Sequence, residues 1–338
     1  MTATINAIPS FGTDLTEFLG HVEQRLQTTL VDEAGMTMDA RPDTLMGAAR
    51  HLCMGGGGKR ARPMLVRLFA DACGAPAEPL VDLAVAAELI HSASLLHDDV
   101  VDGGMFRRGR PTVNARWGNI VAVMTGDMLL STALAKVAAI DAGLTQEAIK
   151  LVMEMTRAAI AEVEARADLS LPLEGLRFIA EGKTGALFGW CGVAAGRLAG
   201  NADAGKRFEA FGRRLGVAFQ IADDVRDLTG TDQGKPQYAD VQSKTPSLPI
   251  LLAAANNEAL RRKIKDAWAF NSMTPERVKE LGMAIQGSGS IDLAVKRMNL
   301  EIDAAIDALG PYGSSPGGSE LVNWAHKLAE NVTTRGVA

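Results

Sequence analysis

Two acidic motifs of one pattern, Asp-Asp-x-x-Asp, are the residues of this sequence best suited to metal chemistry. The first consists of Asp98, Asp99 and Asp102, and the second of Asp223, Asp224 and Asp227. Asp98 and Asp102 are four residues apart, so in a helix their carboxylates share one face about 6 Å apart along the axis and repel each other. Mg²⁺ would offset this charge, since it prefers carboxylate oxygens and keeps positions open for water and phosphate. One such motif could be a solvated helix end. Two, each closing an apolar helical segment, favour a metal cage for a diphosphate.

Two basic segments supply the opposite charge. Lys59 and Arg62 follow a run of four glycines, where backbone N–H groups and a helix start at Pro63 suit an anion. Residues 107–110 add Arg side chains, which bind phosphate oxygens in pairs. The glycine run is not a nucleotide-binding loop, because no Ser or Thr follows Lys59 and no strand precedes it. The sequence therefore predicts two phosphorylated substrates, one held through metal and one held directly by Lys and Arg. The apolar segments that lead into the acidic motifs predict that the rest of the substrate is hydrocarbon.

Helical periodicity dominates the elements that must position these residues. An amphipathic helix is predicted from Leu15 onward. Further helices are predicted over Leu80–Leu96, Ile120–Ile140, Gln146–Asp168, Leu176–Leu198, Gly205–Asp227 and Ile250–Phe270. Gly- and Pro-containing loops are predicted at 55–58, 103–111, 171–175, 230–249 and 310–319. No strand-like alternation is long enough for a sheet.

We therefore expect an all-α fold, a single large helical bundle with a central apolar cavity. One domain is expected over residues 1–338, with a core at 55–251, an N-terminal helix within 1–35 and a late loop at 310–319 before the last helix.

Composition excludes several classes of protein. The 338 residues carry a net charge of −5 and are 47% hydrophobic, which excludes a disordered chain. Three widely spaced Cys exclude a disulfide scaffold, and the mild acidity argues against nucleic acid as a partner. The first 20 residues contain no Lys or Arg and so lack the basic start of a secretory signal. Asp127 and Lys136 interrupt the apolar segment Ile120–Ile140. We expect a cytoplasmic protein without a membrane span, in which that segment is a buried helix.

Four segments together resemble the trans-polyprenyl diphosphate synthases, the trans-prenyltransferase family of the isoprenoid synthase fold. They are Gly55–Leu65, Glu88–Gly118, Glu181–Phe188 and Phe219–Leu251, in family order and at family-like separations. The resemblance implies condensation of an allylic prenyl diphosphate with isopentenyl diphosphate. Metal and cationic side chains assist departure of the allylic diphosphate, the isopentenyl double bond attacks the allylic cation, and a proton leaves to the released diphosphate.

The resemblance also assigns roles to individual residues. All six Asp residues of the two motifs would bind Mg²⁺, several ions per site, and Asp98, Asp102, Asp223 and Lys183 would be catalytic. Isopentenyl diphosphate would be held by Lys59, Arg62, His91 and Arg108. The allylic diphosphate would be held by Arg107, Lys183, Thr184, Gln220, Lys235 and Lys244. A homodimer is expected from the resemblance alone.

Three stretches depart from the family pattern. The Gly-Glu-x-x-Gln signature is here Ala-Glu-Val-Glu-Ala at 161–165. Ser243 replaces the Gly before Lys244, and the expected Thr-Leu-Pro reads Pro-Ser-Leu-Pro at 246–249. These departures bear on the contacts to the allylic diphosphate rather than on metal binding.

Product length is predicted from the helical turn before Asp98. In short-chain members of the family a bulky aromatic side chain blocks this position, which is occupied here by Ala93 and Ser94. The next possible stops, Ile90, Ala87 and Ala86, are not aromatic either. A long-chain product of the quinone side-chain type is therefore predicted. The alternative is that Ala93 and Ser94 only pack closely and that the floor lies elsewhere, for example at Met124 or Met128.

Four other functions are compatible with part of the sequence. A short-chain farnesyl or geranylgeranyl diphosphate synthase would differ only in product length. A terpene cyclase shares the fold and the first motif, but it would not need Lys59, Arg62 and His91, and its second motif usually contains Asn and Ser. A non-catalytic synthase subunit typically loses one acidic motif, whereas this chain keeps both. A helical binding protein would not explain the paired motifs.

Overall fold

The computed structural model describes residues 15–31, 43–55, 58–230, 237–269 and 273–333. It divides into two compact units. Unit 1 comprises residues 1–149, 191–205 and 315–317, and unit 2 comprises residues 150–190, 206–314 and 318–338. The expectation of one domain over the whole chain stays a prediction.

The described residues are almost entirely helical, so the all-α prediction is confirmed. The helices are α1 (Leu15–Thr29), α2 (Thr44–Cys53), α3 (Ala61–Cys73), α4 (Leu80–Val101), α5 (Val113–Trp117), α6 (Asn119–Ile140), α7 (Ala142–Glu164), α8 (Leu173–Ala180), α9 (Ala186–Leu198), α10 (Ala202–Thr229), α11 (Ala239–Ser243), α12 (Leu248–Asn256), α13 (Glu258–Trp268), α14 (Pro275–Gln286), α15 (Ser290–Leu309) and α16 (Pro316–Thr333). A π-helical turn, Glu181–Gly185, joins α8 to α9, and a 3₁₀ turn covers Gly310–Ser314. The two short strands are β1 (Phe106–Arg107) and β2 (Arg110–Pro111).

Helix α4 is the core of unit 1. Its sequence is apolar on all sides for most of its length, and residues 83–87 are fully buried, as expected for a helix surrounded by protein. It packs against α1, α3 and α6. The helix ends at the first acidic motif, where the Asp102 N–H donates to the Asp98 carbonyl at 2.8 Å. Burial of α4 therefore fixes the position of that motif.

The core of unit 2 is built from the helices that follow α10. Tyr238, Trp268 and Leu281 are buried in one apolar cluster, and the Trp268 indole N–H donates to the Val241 carbonyl at 3.1 Å. The predicted helix Ile250–Phe270 is wrong, because the chain forms two helices that meet at Asn257. The Asn257 side chain accepts the Leu260 N–H at 3.0 Å and starts α13, a capping role for which Asn is well suited.

Glycines bring α9 and α10 into backbone contact within unit 2. A Cβ added at Gly216 would lie 2.3 Å from the Gly185 Cα, and one at Gly212 would lie 2.5 Å from the Gly189 backbone N. No side chain fits at such a distance, so glycine is required on α10. The close approach holds the segment before the second acidic motif against the π-helical turn.

Several boundaries differ from expectation. The polar loop predicted at 230–249 contains the short helix α11. The segment 310–319 contains the 3₁₀ turn, and α16 begins at Pro316, a residue suited to a first helical turn. The loop at 103–111 forms a hairpin from β1 and β2.

Within the described ranges, two helices, α4 and α6, are long and apolar enough to cross a membrane by length and composition. In α4, 72% of the most apolar window is buried in the protein, whereas in α6 only 33% is buried. The segment Ile120–Ile140 is therefore a helix, as predicted, but the prediction that this helix is buried is wrong, because most of its apolar window is exposed in a single chain.

Candidate functional site

The first acidic motif presents its three carboxylates differently. Asp98 is partly exposed and Asp102 is exposed, whereas Asp99 is buried. The Arg107 guanidinium grips the Asp99 carboxylate, with Nη2 to Oδ1 at 2.8 Å and Nε to Oδ2 at 3.1 Å. Asp98 and Asp102 are therefore the members of this motif best placed to meet a metal ion, and Asp99 fixes Arg107 beside them.

A hairpin presents Arg107 and Arg108 next to this motif. Its two-residue turn, Arg108 and Gly109, has φ values of 53° and 73°, as in the type I′ turns that close tight hairpins. Thr112 Oγ1 and Asn114 Nδ2 both donate to the Gly104 carbonyl, at 2.7 and 2.9 Å. Because these bonds hold the base of the hairpin, the two arginines stay close to the end of α4.

The turn that carries Lys59 meets the hairpin from the other side. A Cβ added at Gly58 would lie 3.1 Å from Nη1 of Arg60 and 3.3 Å from Nη1 of Arg108. A side chain at this position would meet two guanidinium groups closely, so that one of them would have to shift by a few tenths of an ångström. The structure therefore brings Arg108 close to the Lys59 turn, although the two basic segments are about 50 residues apart in sequence.

His91 lies among these arginines. Burial of the ring lowers the pKa of His91 well below its ordinary value of 6.5, and the charges of Arg62, Arg108, Arg107 and Arg60 lower it further. A neutral imidazole can still donate one hydrogen bond to a phosphate oxygen. Of the predicted set, Arg62, His91 and Arg108 are thus brought together in unit 1, and Lys59 follows Gly58, which lies against Arg108. We call these four residues the cradle; their role in binding an anion stays a prediction.

The second acidic motif, in unit 2, engages its carboxylates within the fold. Arg226 pairs with Asp223. Asp227 accepts the backbone N–H groups of Ala239 at 2.8 Å and Asp240 at 3.2 Å, and so holds the start of α11. Of the three carboxylates, Asp223 has 41% of its side chain exposed, and it is the one best placed for a metal ion.

Asp224, on α10, is buried against the first residue of α12. It accepts the Leu248 backbone N–H and the amide of Gln220, each at 3.1 Å. The pKa of Asp224 is raised to about 7, chiefly by burial and also by the charges of Asp223 and Asp227, although the two hydrogen bonds act to lower it. Gln220, predicted to contact the allylic diphosphate, is thus bonded to Asp224 here.

The π-helical turn positions Lys183 and Thr184. A Cβ added at Gly182 would lie 2.5 Å from the Ala158 Cβ, and one at Gly185 would lie 2.5 Å from the Arg213 carbonyl oxygen. Lys183 pairs with Glu162 of α7, and Thr184 is buried. π-Helical turns are rare and occur frequently at functional sites. The contact of Lys183 and Thr184 with the allylic diphosphate stays a prediction.

The two remaining predicted lysines are placed as follows. Lys244 adopts a left-handed backbone conformation, and its Nζ donates to the Trp268 carbonyl at 2.8 Å. Its role toward the allylic diphosphate therefore stays a prediction. Lys235 lies outside the described residues.

The carboxylates of the two acidic motifs are the metal donors that the sequence predicts. Among the described residues, no three His, Cys, Asp or Glu side chains are grouped closely enough to hold a metal ion by themselves. Mg²⁺ usually takes one or two carboxylates and completes its shell with water and substrate phosphate. Asp98 and Asp102 of the first motif, and Asp223 of the second, are carboxylates of the kind that such an ion takes. Their role as metal ligands stays a prediction.

The positions predicted to limit product length are small and lie before Asp98 in α4. Ala93 is 2% exposed, and Ile90, Ala87 and Ala86 are also buried. Ser94 is partly exposed, and its hydroxyl donates to the His91 carbonyl at 2.8 Å. Of the alternative floor residues, Met124 is 47% exposed and so is not enclosed in this chain.

Three residues with clear roles here were missed from the sequence. Arg60 and Glu88 form a buried ion pair beside His91, at 2.7 Å. Glu162 pairs with Lys183. Glu162 is the part of the Gly-Glu-x-x-Gln signature that this chain keeps, which was the available signal. Arg60 lies between two predicted ligands, and no local pattern distinguishes it from them.

Comparison with known proteins points to one family. The polyprenyl synthetase family matches residues 42–285. Component 2 of heptaprenyl diphosphate synthase from Geobacillus stearothermophilus is 36% identical over 247 residues, covering 72% of this chain and 74% of that protein. The (2E,6E)-farnesyl diphosphate synthase of Mycobacterium bovis is 37% identical over 288 residues, covering 81% and 79%. The crystal structure of a polyprenyl synthase from Caulobacter crescentus, complexed with calcium and isoprenyl diphosphate, is similar with a TM-score of 0.85 at 26% identity, covering 93% of this chain and 94% of that one.

The lowered pKa of His91 predicts a pH dependence of stability. The unfolded chain takes up a proton at His91 near the ordinary pKa of 6.5, whereas the folded chain does so only at lower pH. Stability is therefore fully present above about pH 7 and decreases as the pH falls through 6.5, by about 1 kcal/mol at pH 5.5 from this residue. Urea unfolding of wild type and His91→Asn at pH 8 and pH 5.5 should show the larger acid loss in wild type.

The control for this measurement is His326→Asn, which alters an exposed histidine of α16. It should keep the wild-type loss of stability. An equal loss in wild type and His91→Asn would mean that His91 carries no such shift.

Proposed function

The chain belongs to the polyprenyl synthetase family, whose members are trans-prenyltransferases that make prenyl diphosphates, and from that premise we propose how its residues hold the two substrates. The enzyme is a prenyl diphosphate synthase. The substrates proposed are isopentenyl diphosphate and an allylic prenyl diphosphate.

The observation that supports this assignment most strongly is the cradle of unit 1. His91, Arg62 and Arg108 belong to one electrostatic cluster, and Lys59 lies beside Gly58, which packs on Arg60 and Arg108. Such a concentration of positive charge calls for an anion such as a diphosphate, which guanidinium groups bind in pairs. We assign isopentenyl diphosphate to this cradle.

The allylic diphosphate is assigned to Arg107, Lys183, Thr184, Gln220, Lys235 and Lys244. Members of the family use a divalent metal, and here we propose several Mg²⁺ ions at the two acidic motifs, with Asp98, Asp102 and Asp223 as principal ligands. Bound Mg²⁺ would neutralise charge on the departing diphosphate. Lys183 supports the same departure as a cation, and Glu162 orients Lys183. The cradle holds the isopentenyl group so that its double bond can attack the allylic carbon.

We also keep the single domain and the cytoplasmic location as proposals. Neither affects the assignment of the substrates.

Replacement of one carboxylate tests the role of the first motif. Asp98→Asn should lower kcat by about 100-fold or more, because the charge that develops on the diphosphate loses part of its stabilisation. The measurement is steady-state incorporation of isopentenyl diphosphate at saturating Mg²⁺. The control is Asp82→Asn, a carboxylate elsewhere on α4 that pairs with Arg25 and Lys136; it should retain wild-type kcat. Unchanged activity in Asp98→Asn would overturn the assignment.

We propose a product longer than farnesyl. This rests on the small side chains of Ala93 and Ser94 before Asp98, and on the absence of an aromatic residue at Ile90, Ala87 and Ala86. The curated relatives include both a heptaprenyl and a farnesyl enzyme, so product length must be measured.

An aromatic side chain at the proposed floor should shorten the product. Ala93→Phe and Ser94→Phe are each expected to stop elongation earlier, by at least one isoprene unit, as read by chromatography of the dephosphorylated products. Ala259→Phe, at an exposed alanine of α13, serves as the control and should leave the product unchanged. If folded Ala93→Phe and Ser94→Phe both give the wild-type product while Met124→Ala lengthens it, the floor lies at Met124.

We propose a homodimer that covers α6. Ile120 is 81% exposed and Met124 is 47% exposed, one helical turn apart on an apolar helix. A patch of this kind marks an interaction site. The net charge of −5 disfavours an anionic membrane surface as the occupant, and a second copy of the chain would cover the face.

Charge on this face should separate the subunits. Ile120→Glu with Met124→Glu is expected to convert a dimer to a monomer in light scattering coupled to gel filtration. Leu300→Glu on α15, where the side chain is 63% exposed, should leave the dimer intact. A monomeric wild-type protein would contradict the proposal, and binding of that monomer to lipid vesicles would identify the other occupant.

A further inference from the structure

Three cations occur within four positions at the start of α3, and the structure separates their roles. Lys59 is exposed and Arg62 contributes charge to the surroundings of His91. Arg60, between them, has only 10% of its side chain exposed. The run of basic residues is therefore not uniform.

The guanidinium of Arg60 is occupied by protein acceptors. Its Nε and Nη2 donate to the Glu23 carboxylate, Nη1 donates to Glu88 at 2.7 Å, and Nη2 also donates to the Cys53 carbonyl at 2.7 Å. These bonds use four of the five N–H groups that an arginine carries. Arg60 is thus not a phosphate ligand, although Lys59 and Arg62 on either side are assigned to one.

These bonds join four helices at one point. Glu23 belongs to α1, Cys53 ends α2, Arg60 precedes α3, and Glu88 lies on α4 one turn before His91. Glu88 is 5% exposed, so its charge is offset inside the protein rather than by water. Burial alone lowers the pKa of Arg60, but its bonds and charge interactions with Glu23 and Glu88 raise it above the ordinary value.

The backbone of Arg60 also needs support. Its φ of 48° lies in the left-handed region, which a residue with a side chain rarely adopts. The Arg60 carbonyl accepts the Met64 N–H at 3.0 Å and so begins the hydrogen-bonding of α3. The chain therefore turns at Arg60, and the direction of that turn decides where Lys59 and Arg62 lie relative to α4.

We propose that Arg60 is a positioning residue: its ion pairs with Glu23 and Glu88 fix the turn that presents Lys59 and Arg62 beside His91. The proposal rests on the assignment of isopentenyl diphosphate to this cradle. It predicts that loosening Arg60 weakens the binding of one substrate rather than the chemistry of both.

The test compares two buried arginines. Arg60→Lys keeps the charge but loses the fork that reaches Glu23, Glu88 and the Cys53 carbonyl together. We expect KM for isopentenyl diphosphate to rise about tenfold or more, with kcat and KM for the allylic diphosphate changed less than about threefold, since small displacements of a binding group are costly.

Arg67→Lys is the matched control. Arg67 is on α3, is 4% exposed, pairs with Asp71 at 2.8 Å, and lies 5.6 Å from the Phe18 ring of α1. It is buried like Arg60, but Asp71 and Phe18 are not among the residues that hold the Lys59 turn. Arg67→Lys should lower the melting temperature without a selective change in KM for isopentenyl diphosphate.

Glu23→Gln is a milder second variant, since 42% of the Glu23 side chain is exposed. It should raise the same KM by about threefold, and it decides the question if Arg60→Lys does not fold. Wild-type protein that elongates no primer would overturn the proposed function itself. If the wild type is active and Arg60→Lys leaves KM for isopentenyl diphosphate unchanged, only the positioning role is overturned. If Arg60→Lys does not fold, an unchanged KM in Glu23→Gln has the same meaning. An equal rise of KM for isopentenyl diphosphate in Arg60→Lys and Arg67→Lys would also overturn the positioning role.

Discussion

Repulsion between like charges is the constraint on which the architecture of unit 1 depends. Arg60, Arg62, Arg107 and Arg108 all act on His91 and lower its pKa. Two buried carboxylates offset part of this charge, Glu88 through Arg60 and Asp99 through Arg107. A cradle built this way is held by ion pairs and remains positive overall, as preorganised binding of the proposed diphosphate requires.

The two acidic motifs share a pattern but differ in what their carboxylates do. In the first, Asp99 holds an arginine of the hairpin. In the second, Asp227 caps α11 and Asp224 receives the first N–H of α12. Asp99, Asp224 and Asp227 thus attach neighbouring segments to the ends of α4 and α10. Asp98, Asp102 and Asp223 are the residues proposed to bind metal. A residue can therefore belong to a metal-binding signature and stabilise the surrounding chain.

Sequence reasoning worked where the signal was local. The helical fold class and the location of both motifs at helix ends follow from apolar periodicity and from the spacing of the Asp residues. Predictions from sequence failed where a contact with a residue outside the local pattern sets the structure. One capping side chain at Asn257 divides a continuous helical pattern. Arg60 differs in role from Lys59 and Arg62 because it bonds to Glu23 and Glu88, which are distant from it in sequence. The exposure of α6 depends on what covers the helix, which its apolar composition does not specify.

The most direct test of the proposed chemistry is incubation of the purified chain with isopentenyl diphosphate, Mg²⁺ and allylic diphosphates of increasing length, each in turn, followed by sizing of the products. Elongation that requires Mg²⁺, is abolished by chelator and gives products longer than farnesyl is the predicted result. Absence of elongation with every primer, from folded protein at saturating Mg²⁺, would contradict the assignment of this chain as a prenyl diphosphate synthase.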